Sequence, residues 1–418
     1  MLIRSVRGMN DLFSAELSRF QKIENELKKI LHSFGYSEIQ TPILEDLALF
    51  KRGVGETSDI VEKEMFVVND GEHTYCLRPE NTAAVVRALI ERGGIGEDTV
   101  EKLYYLGPMF RKERPQKGRL RQFHQFGIEL FGVSEPSADI EVITMMDMLL
   151  KALNLYGISL KINSLGNNEE RVAYKIVLKK FLENNQEKLC DDCKRRIETN
   201  PLRVLDCKKP SCQEVMHLAP KIMDSLGDSS KAHFEHVLSG LREQGVEYTI
   251  DHQLVRGLDY YNHVVFEFVA DFGLGAQNAI IAGGRYDGLF LTLGNKMDLP
   301  AIGCAGGLER IALLLEQNQI EESRPAISLV FADEEGKKLS TSLAYDLRRL
   351  GIYADFSLVQ KSTKAQMRRA DKLNARFVAV IGGSEITSKK MRLKDLKNKH
   401  DTELAIDSES IARFLKNS

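Results

Sequence analysis

The stretch Glu101–Gly132, EKLYYLGPMFRKERPQKGRLRQFHQFGIELFG, decides the fold, because it reads as two strands joined by a long basic loop. Alternation sets Leu103, Tyr105, Gly107, Met109 and Arg111 on one face of the first strand. It sets Phe123, Gln125, Gly127, Glu129 and Phe131 on one face of the second. Phe126, Ile128 and Leu130 on the other face supply ordinary core, so Arg111, Gln125 and Glu129 are expected to line a cavity. The connection is about twice the two to five residues of a usual hairpin loop. Arg111, Lys112, Arg114, Lys117, Arg119 and Arg121 stand there against the single acid Glu113. Such a loop suits a polyanion; a solvated hairpin tip is the competing reading.

At 418 residues the chain can bury a large core and divide into two or three domains. The formal net charge of −2 is uneven: residues 325–418 carry 18 Lys plus Arg against 12 Asp plus Glu, or +6, leaving −8 for the rest. A basic tail on an acidic body fits a nucleic-acid contact at the C-terminus, although such an excess also occurs on plain surfaces. The N-terminus has no apolar run of signal-peptide length, and no segment approaches the roughly 18 apolar residues of a membrane span. A soluble, cytoplasmic protein is expected. Six cysteines in so long a chain do not make a disulfide scaffold and fit a reducing compartment. Neither low-complexity tracts nor internal repeats interrupt the pattern.

Residues 14–35 carry Leu17, Phe20, Ile23, Leu27, Ile30 and Leu31 at helical spacing and end in Phe34-Gly35, a natural C-cap. Strand-like YSEIQTPILE follows, with Pro42 marking an edge or bend. In TYCLRPENTAAVVRALIE (74–91), Glu80 and Thr82 sit where strand gives way to helix. Freed backbone N–H groups and short side chains can grip a small ligand there, or the two residues can simply cap the helix. A helix near 136–156 and the strand ISLKINSLG follow, and residues 169–244 read as a charged helical insertion. Within it, Cys190-x2-Cys193, thirteen residues, then Cys207-x4-Cys212 can close four thiolates around one zinc; reduced free thiols are the other reading. LVRGLDYYNHVVFEF (254–268) places Arg256, Tyr260 and Tyr261 at the mouth of an alternating strand. The paired glycines of AGGRYDGL (282–289) are expected to let backbone approach a ligand. In GCAGGLERIALLL (303–315), Arg310 points away from the helical face Leu308, Ile311, Ala312 and Leu315, toward a ligand or a surface salt bridge. Polar Glu316–Arg324 reads as a linker. Beyond Pro325, strands alternate with helices, which implies a mostly parallel sheet covered on both faces.

Taken together, these stretches resemble the class II aminoacyl-tRNA synthetases, in their histidyl-tRNA synthetase form. The F-R-x-E hairpin is similar to motif 2, the first helix, strand and proline to motif 1, and 303–315 to motif 3; RGLDYY and AGGRYDGL resemble the two histidine signatures. The family's RPEGT segment reads RPENT here, with Asn81 in the glycine position. The resemblance implies an α+β catalytic domain, an antiparallel sheet flanked by helices, in two parts (1–168 and 245–320). A helical insertion (169–244) and a C-terminal α/β anticodon-binding domain (325–418) complete it. It implies a homodimer built through motif 1, and a ligase that activates L-histidine with ATP and Mg2+ and transfers it to tRNA(His). Arg111 and Arg256 are then expected at the α-phosphate, Arg310 at the γ-phosphate and Glu113 on ATP. Glu80, Thr82 and Gln125 hold the histidine ammonium, Glu129 and Tyr261 the imidazole, with Tyr260 and Tyr286 beside them. Arg114, Gln116, Lys117 and Arg119 face the tRNA acceptor stem. One rival is a synthetase-like histidine-sensing regulatory subunit without ligase activity, which should lack the C-terminal domain and show a damaged RGLDYY or motif 2. The other is a plain RNA-binding protein that uses the basic tail.

Overall fold

The computed structural model describes residues 2–56, 58–93, 96, 99–275, 278–315 and 324–417. They form two units, Met1–Ile320 and Glu321–Ser418; most of the stretch read as a linker, 316–323, lies outside the described residues.

The first unit opens with α1 (Ser14–Ser33), which buries Phe20, Ile23, Leu27 and Leu31 along one stripe. At about 1.5–3 kcal/mol each this stabilises by roughly 6–12 kcal/mol, an upper figure because unfolded chains already bury some apolar surface. Gly35 ends it at φ +79°, a left-handed turn that glycine takes without strain. β1 (Ser37–Glu38) joins the main sheet, whereas β2 (Leu44–Asp46), beyond Pro42, joins a three-stranded sheet with β3 (Phe66–Asn69) and β4 (Thr74–Leu77). The proline thus marks a change of sheet. α2 (Leu47–Val54) and the start of α3 (Thr82–Glu91) pack in a small core with Met65 and Cys76.

β5 (Glu101–Phe110) and β6 (Gln122–Phe131) pair antiparallel over their whole length, Glu101 opposite Phe131 and Phe110 opposite Gln122. α4 (Pro136–Ala152), β7 (Ile158–Ser164) and five helices follow: α5 (Asn168–Asn184), α6 (Asp191–Thr199), α7 (Leu202–Leu205), α8 (Pro210–Met216) and α9 (Asp228–Glu243). The unit closes with β8 (Thr249–Ile250), β9 (Asn262–Ala270), β10 (Ala279–Arg285), α10 (Leu289–Thr292), β11 (Ala301–Gly307) and α11 (Leu308–Leu314). The eight strands run β1-β5-β6-β11-β10-β9-β7-β8. Interior neighbours are antiparallel, and the end strands β1 and β8 pair parallel.

The sheet separates two cores, as the strand alternation requires. Phe126, Ile128 and Leu130 meet α1, α4, α9 and α11 on one side; Leu103, Tyr105, Met109 and Phe131 meet α3 and α5–α8 on the other. Helix α9 falls inside residues 169–244, yet its Phe234, Val237 and Leu241 pack with α4 in the first core. Gly283 and Gly284 correct one expectation. Side chains there would strike the Gly303 and Val264 carbonyls of adjacent strands, so the pair permits close strand packing rather than approach to a ligand.

The second unit comprises β12 (Ile327–Phe331), α12 (Glu334–Arg349), β13 (Ala354–Phe356), α13 (Thr363–Lys372), β14 (Phe377–Ile381), α14 (Gly383–Ser388), β15 (Lys390–Asp395), β16 (Asp401–Ala405) and α15 (Ser408–Lys416). Its sheet, β13-β12-β14-β15-β16, is mixed rather than mostly parallel. β12 pairs parallel with both neighbours, but β14–β15 and β15–β16 are antiparallel. The connections after β14 are shorter than the dozen or so residues that a parallel crossover needs.

Candidate active site

A cavity of about 390 Å³ opens against the second-core face of the main sheet. It gathers Glu80 and Thr82 from the start of α3, Arg111, Glu113 and Arg119 from the β5–β6 connection, and Gln125 from β6. Arg256, Tyr260 and Tyr261 from the segment before β9, and Arg310 from α11, complete the set. Glu129 and Tyr286 are each 1% exposed and are not among the lining residues, which corrects the expectation that Glu129 lines the cavity. Arg114, Gln116 and Lys117 sit exposed on the connection, also outside the lining.

The cationic side is held by carbonyl groups. Arg111 donates from Nε to the Pro79 carbonyl at 2.9 Å, and its guanidinium lies 5.2 Å from the Phe123 ring centroid. Arg310 donates to the carbonyls of Gly118 at 2.9 Å and Ala279 at 2.7 Å. Neutral tethers fix direction while leaving charge uncompensated. Burial, then the neighbouring Arg111 and Arg119, push the Arg310 pKa below its ordinary value, so an anion placed among these groups relieves repulsion. Arg119 pairs with Glu113, and Arg256 pairs with Glu267 beneath the Tyr261 ring.

The opposite side is built to hold a small polar group. Glu80 accepts from the backbone N–H groups of Thr82 at 2.8 Å and Ala83 at 3.1 Å, capping α3, and still lines the cavity. Both readings of that residue therefore hold together. Asn81 sits at φ −125°, so no glycine conformation is required, and its Oδ1 accepts from the Thr41 hydroxyl at 2.6 Å. The Gln125 Oε1 is buried without a hydrogen-bond partner, a costly state that an ammonium donor would end. Thr82 donates its hydroxyl to Glu129 at 2.7 Å, and Tyr286 donates to the other carboxylate oxygen. Burial pushes the Glu129 pKa up to about 8, against the pull of those two hydroxyls. Gly303, directly across the strand pair, leaves the space that the carboxylate fills.

Sequence reasoning missed Arg203, Asp206 and Lys208, which reach the cavity wall from the helical insertion, and Glu64. The one signal for the first three was proximity to Cys207, and Glu64 had none, since in sequence such charges look like ordinary surface. Strand parity had placed Tyr105 on the Arg111 face, and it too lines the cavity. Burial and the charge of Glu113 raise the Glu64 pKa above its ordinary value, and a cation placed beside it would favour its ionised form. The insertion's four cysteines bring their Sγ atoms within 4.8 Å of one another.

Residues 8–311 match the family model described as histidyl-tRNA synthetase, and residues 326–417 match an anticodon binding domain. The chain belongs to the histidyl-tRNA synthetase family. Among its members, the histidine–tRNA ligase of Syntrophotalea carbinolica is 45% identical over 97% of each chain. That of Anaeromyxobacter sp. strain K is 46% identical over 99% of each. The crystal structure of apo Staphylococcus aureus histidyl-tRNA synthetase superposes with a TM-score of 0.79 at 33% identity, covering 100% of this chain and 99% of that one. Full-length similarity to ligases, including the anticodon binding domain, sets aside the regulatory-subunit alternative. Among the described residues no helix is long and apolar enough to cross a membrane.

Proposed function

We propose that the chain activates L-histidine with ATP and transfers it to the 3′ end of tRNA(His). The observation that carries this reading is the convergence of Arg111, Arg256 and Arg310 on one cavity with Glu80, Gln125, Tyr260 and Tyr261. Fixed cations for a triphosphate stand beside acceptors for an ammonium group.

In the first step the histidine carboxylate attacks the α-phosphorus in line and pyrophosphate leaves. Arg111 and Arg256 meet the charge that builds on the α-phosphoryl oxygens, and Arg310 meets the γ-phosphate. Bound Mg2+ supplies further neutralisation, and Glu113 with Glu64 would hold it, since one or two carboxylates plus phosphate oxygens suit that ion. Glu80, Thr82 and Gln125 take the ammonium. Tyr261 takes the imidazole, with Tyr260 beside it. Glu129, buried behind Thr82, takes the second ring nitrogen once the Thr82 hydroxyl turns from its carboxyl to the ligand, with Tyr286 packed behind; a carboxyl poised near neutrality can donate or accept. In the second step the terminal ribose hydroxyl attacks the histidyl carbonyl carbon and AMP leaves. The proton passes to a phosphate oxygen of the adenylate, so we assign no protein base. Arg114, Gln116, Lys117 and Arg119 steer the acceptor stem, and residues 325–418 take the anticodon.

A second copy of the chain is the partner we assign to the motif 1 surface, where Leu17, Ile43 and Leu44 are exposed. The cytoplasm, where its thiols stay reduced, is the expected location. Pyrophosphate exchange into ATP, run with each amino acid, should proceed with histidine alone. Exchange with another amino acid, or with none, sinks the proposal, and light scattering at the monomer mass sinks the dimer.

A further inference from the structure

The insertion holds a cluster that the ligase reaction does not use. Cys190 precedes α6 and Cys193 lies in its first turn; Cys207 follows α7 and Cys212 sits in the first turn of α8. All four Sγ atoms lie within 4.8 Å of one another, and all four thiols are free of disulfides. Tetrahedral zinc, with Zn–S near about 2.3 Å, needs sulfurs roughly 3.8 Å apart. A closure of about 1 Å or less on each pair therefore completes the shell. Cys193 and Cys212 are fully buried, Cys207 nearly so, and Cys190 is on the open side. The Cys190 backbone N–H donates to the Cys212 sulfur at 3.3 Å, which ties the start of α6 to α8. Packing alone gives no reason for four thiols from three turns to meet, because a cysteine fills a core equally well anywhere.

We propose that Cys190, Cys193, Cys207 and Cys212 bind one structural zinc ion, closed by four thiolates with no position left for chemistry. Helices α6, α7 and α8 have 9, 4 and 7 residues, too short to be stable alone, and binding energy at such a site becomes folding energy. The segment so fixed reaches the active site: Arg203, Asp206 and Lys208, beside Cys207, line the cavity. Arg203 also pairs with Asp59 at 3.2 Å, and Asn200 donates to Asp259 of the RGLDYY segment at 2.9 Å. This link to the cavity rests on the ligase reading, whereas the metal site itself does not.

The test is metal content of the full-length chain, purified without chelator and measured by plasma mass spectrometry. One zinc per chain is expected, falling below about a tenth in Cys193→Ser and Cys212→Ser. Because loss of a buried thiolate can unfold the insertion, wild-type chain refilled with Co2+ gives a second readout, the sulfur-to-cobalt charge-transfer bands of a tetrahedral four-thiolate site. A metal-free native chain with four reactive thiols, or a cobalt spectrum without those bands, overturns the proposal. Histidine-dependent exchange is assayed separately. Zinc without exchange keeps the site and sinks the ligase reading, and exchange without zinc does the reverse.

Discussion

Glu129 shows most directly how function and stability pull apart at one residue. Burial raises its folded pKa from 4.5 to about 8, so its contribution is fully present below pH 4.5 and is lost as pH rises toward 8. Glu129→Gln removes the ionisable group while keeping one oxygen acceptor for one of the two hydroxyls, the other turning to accept from the amide N–H. It should be more stable than wild type at pH 8, by on the order of 1–3 kcal/mol, yet lose at least about 100-fold in histidine-dependent exchange. Denaturant midpoints at pH 8 check the first part, and equal midpoints count against it. Arg310 tests the other side of the cavity. Its two carbonyl bonds aim a planar fork that lysine cannot reproduce. Arg310→Lys should raise KM for ATP roughly 10–100-fold, the value of one lost charge-assisted hydrogen bond, with an unchanged far-ultraviolet circular dichroism spectrum. An unaltered KM would remove Arg310 from the nucleotide site.

Between elements, the joint of β9 with α9 and α4 carries an acid-sensitive group. His263, at φ +43°, packs 5.9 Å from the His233 ring. Burial first, then His233 and Arg285, lower its pKa from 6.5 to about 4, against Asp139 and Glu170. A depressed folded pKa contributes stability that is present above pH 6.5 and lost as pH falls through 4. His263→Asn, which tolerates the left-handed backbone, should flatten the decline in melting temperature between pH 6.5 and 4; an identical decline refutes this. At the same scale, what the sequence made legible follows from locality. The alternation was readable because one face of β6 packs Phe126, Ile128 and Leu130 into the core while the other carries polar Gln125 to the cavity. The strand-to-helix step at Glu80 was readable for a similar reason, since a cap is set by residues two and three positions on. Lys208 and Arg203 were not, because only the folding back of α6–α8 onto the sheet carries them to the cavity. Nor was the retreat of Glu129 behind Thr82, which depends on the bare backbone of Gly303 on another strand.

Across the whole molecule, the two units keep separate cores. Ile327, Leu329, Leu347, Phe377 and Ile411 pack among residues of the second unit alone, and every lining residue of the cavity lies in the first. On the proposed function, activation of histidine belongs to the first unit, while transfer to tRNA draws on the second, whose excess of cations is +6 over residues 325–418. A chain ending at Leu315 should keep histidine-dependent exchange within about threefold, because no group that meets histidine or ATP is removed. Charging of tRNA should fall more than about 100-fold, and its steep dependence on salt should weaken as phosphate contacts are lost. The two assays on one truncated protein separate the roles. Loss of exchange in a truncated chain that still melts cooperatively would mean that the second unit shapes the cavity. Charging that survives with the full salt dependence would mean that the basic β5–β6 connection, with Arg114 and Lys117 exposed on it, carries the tRNA by itself.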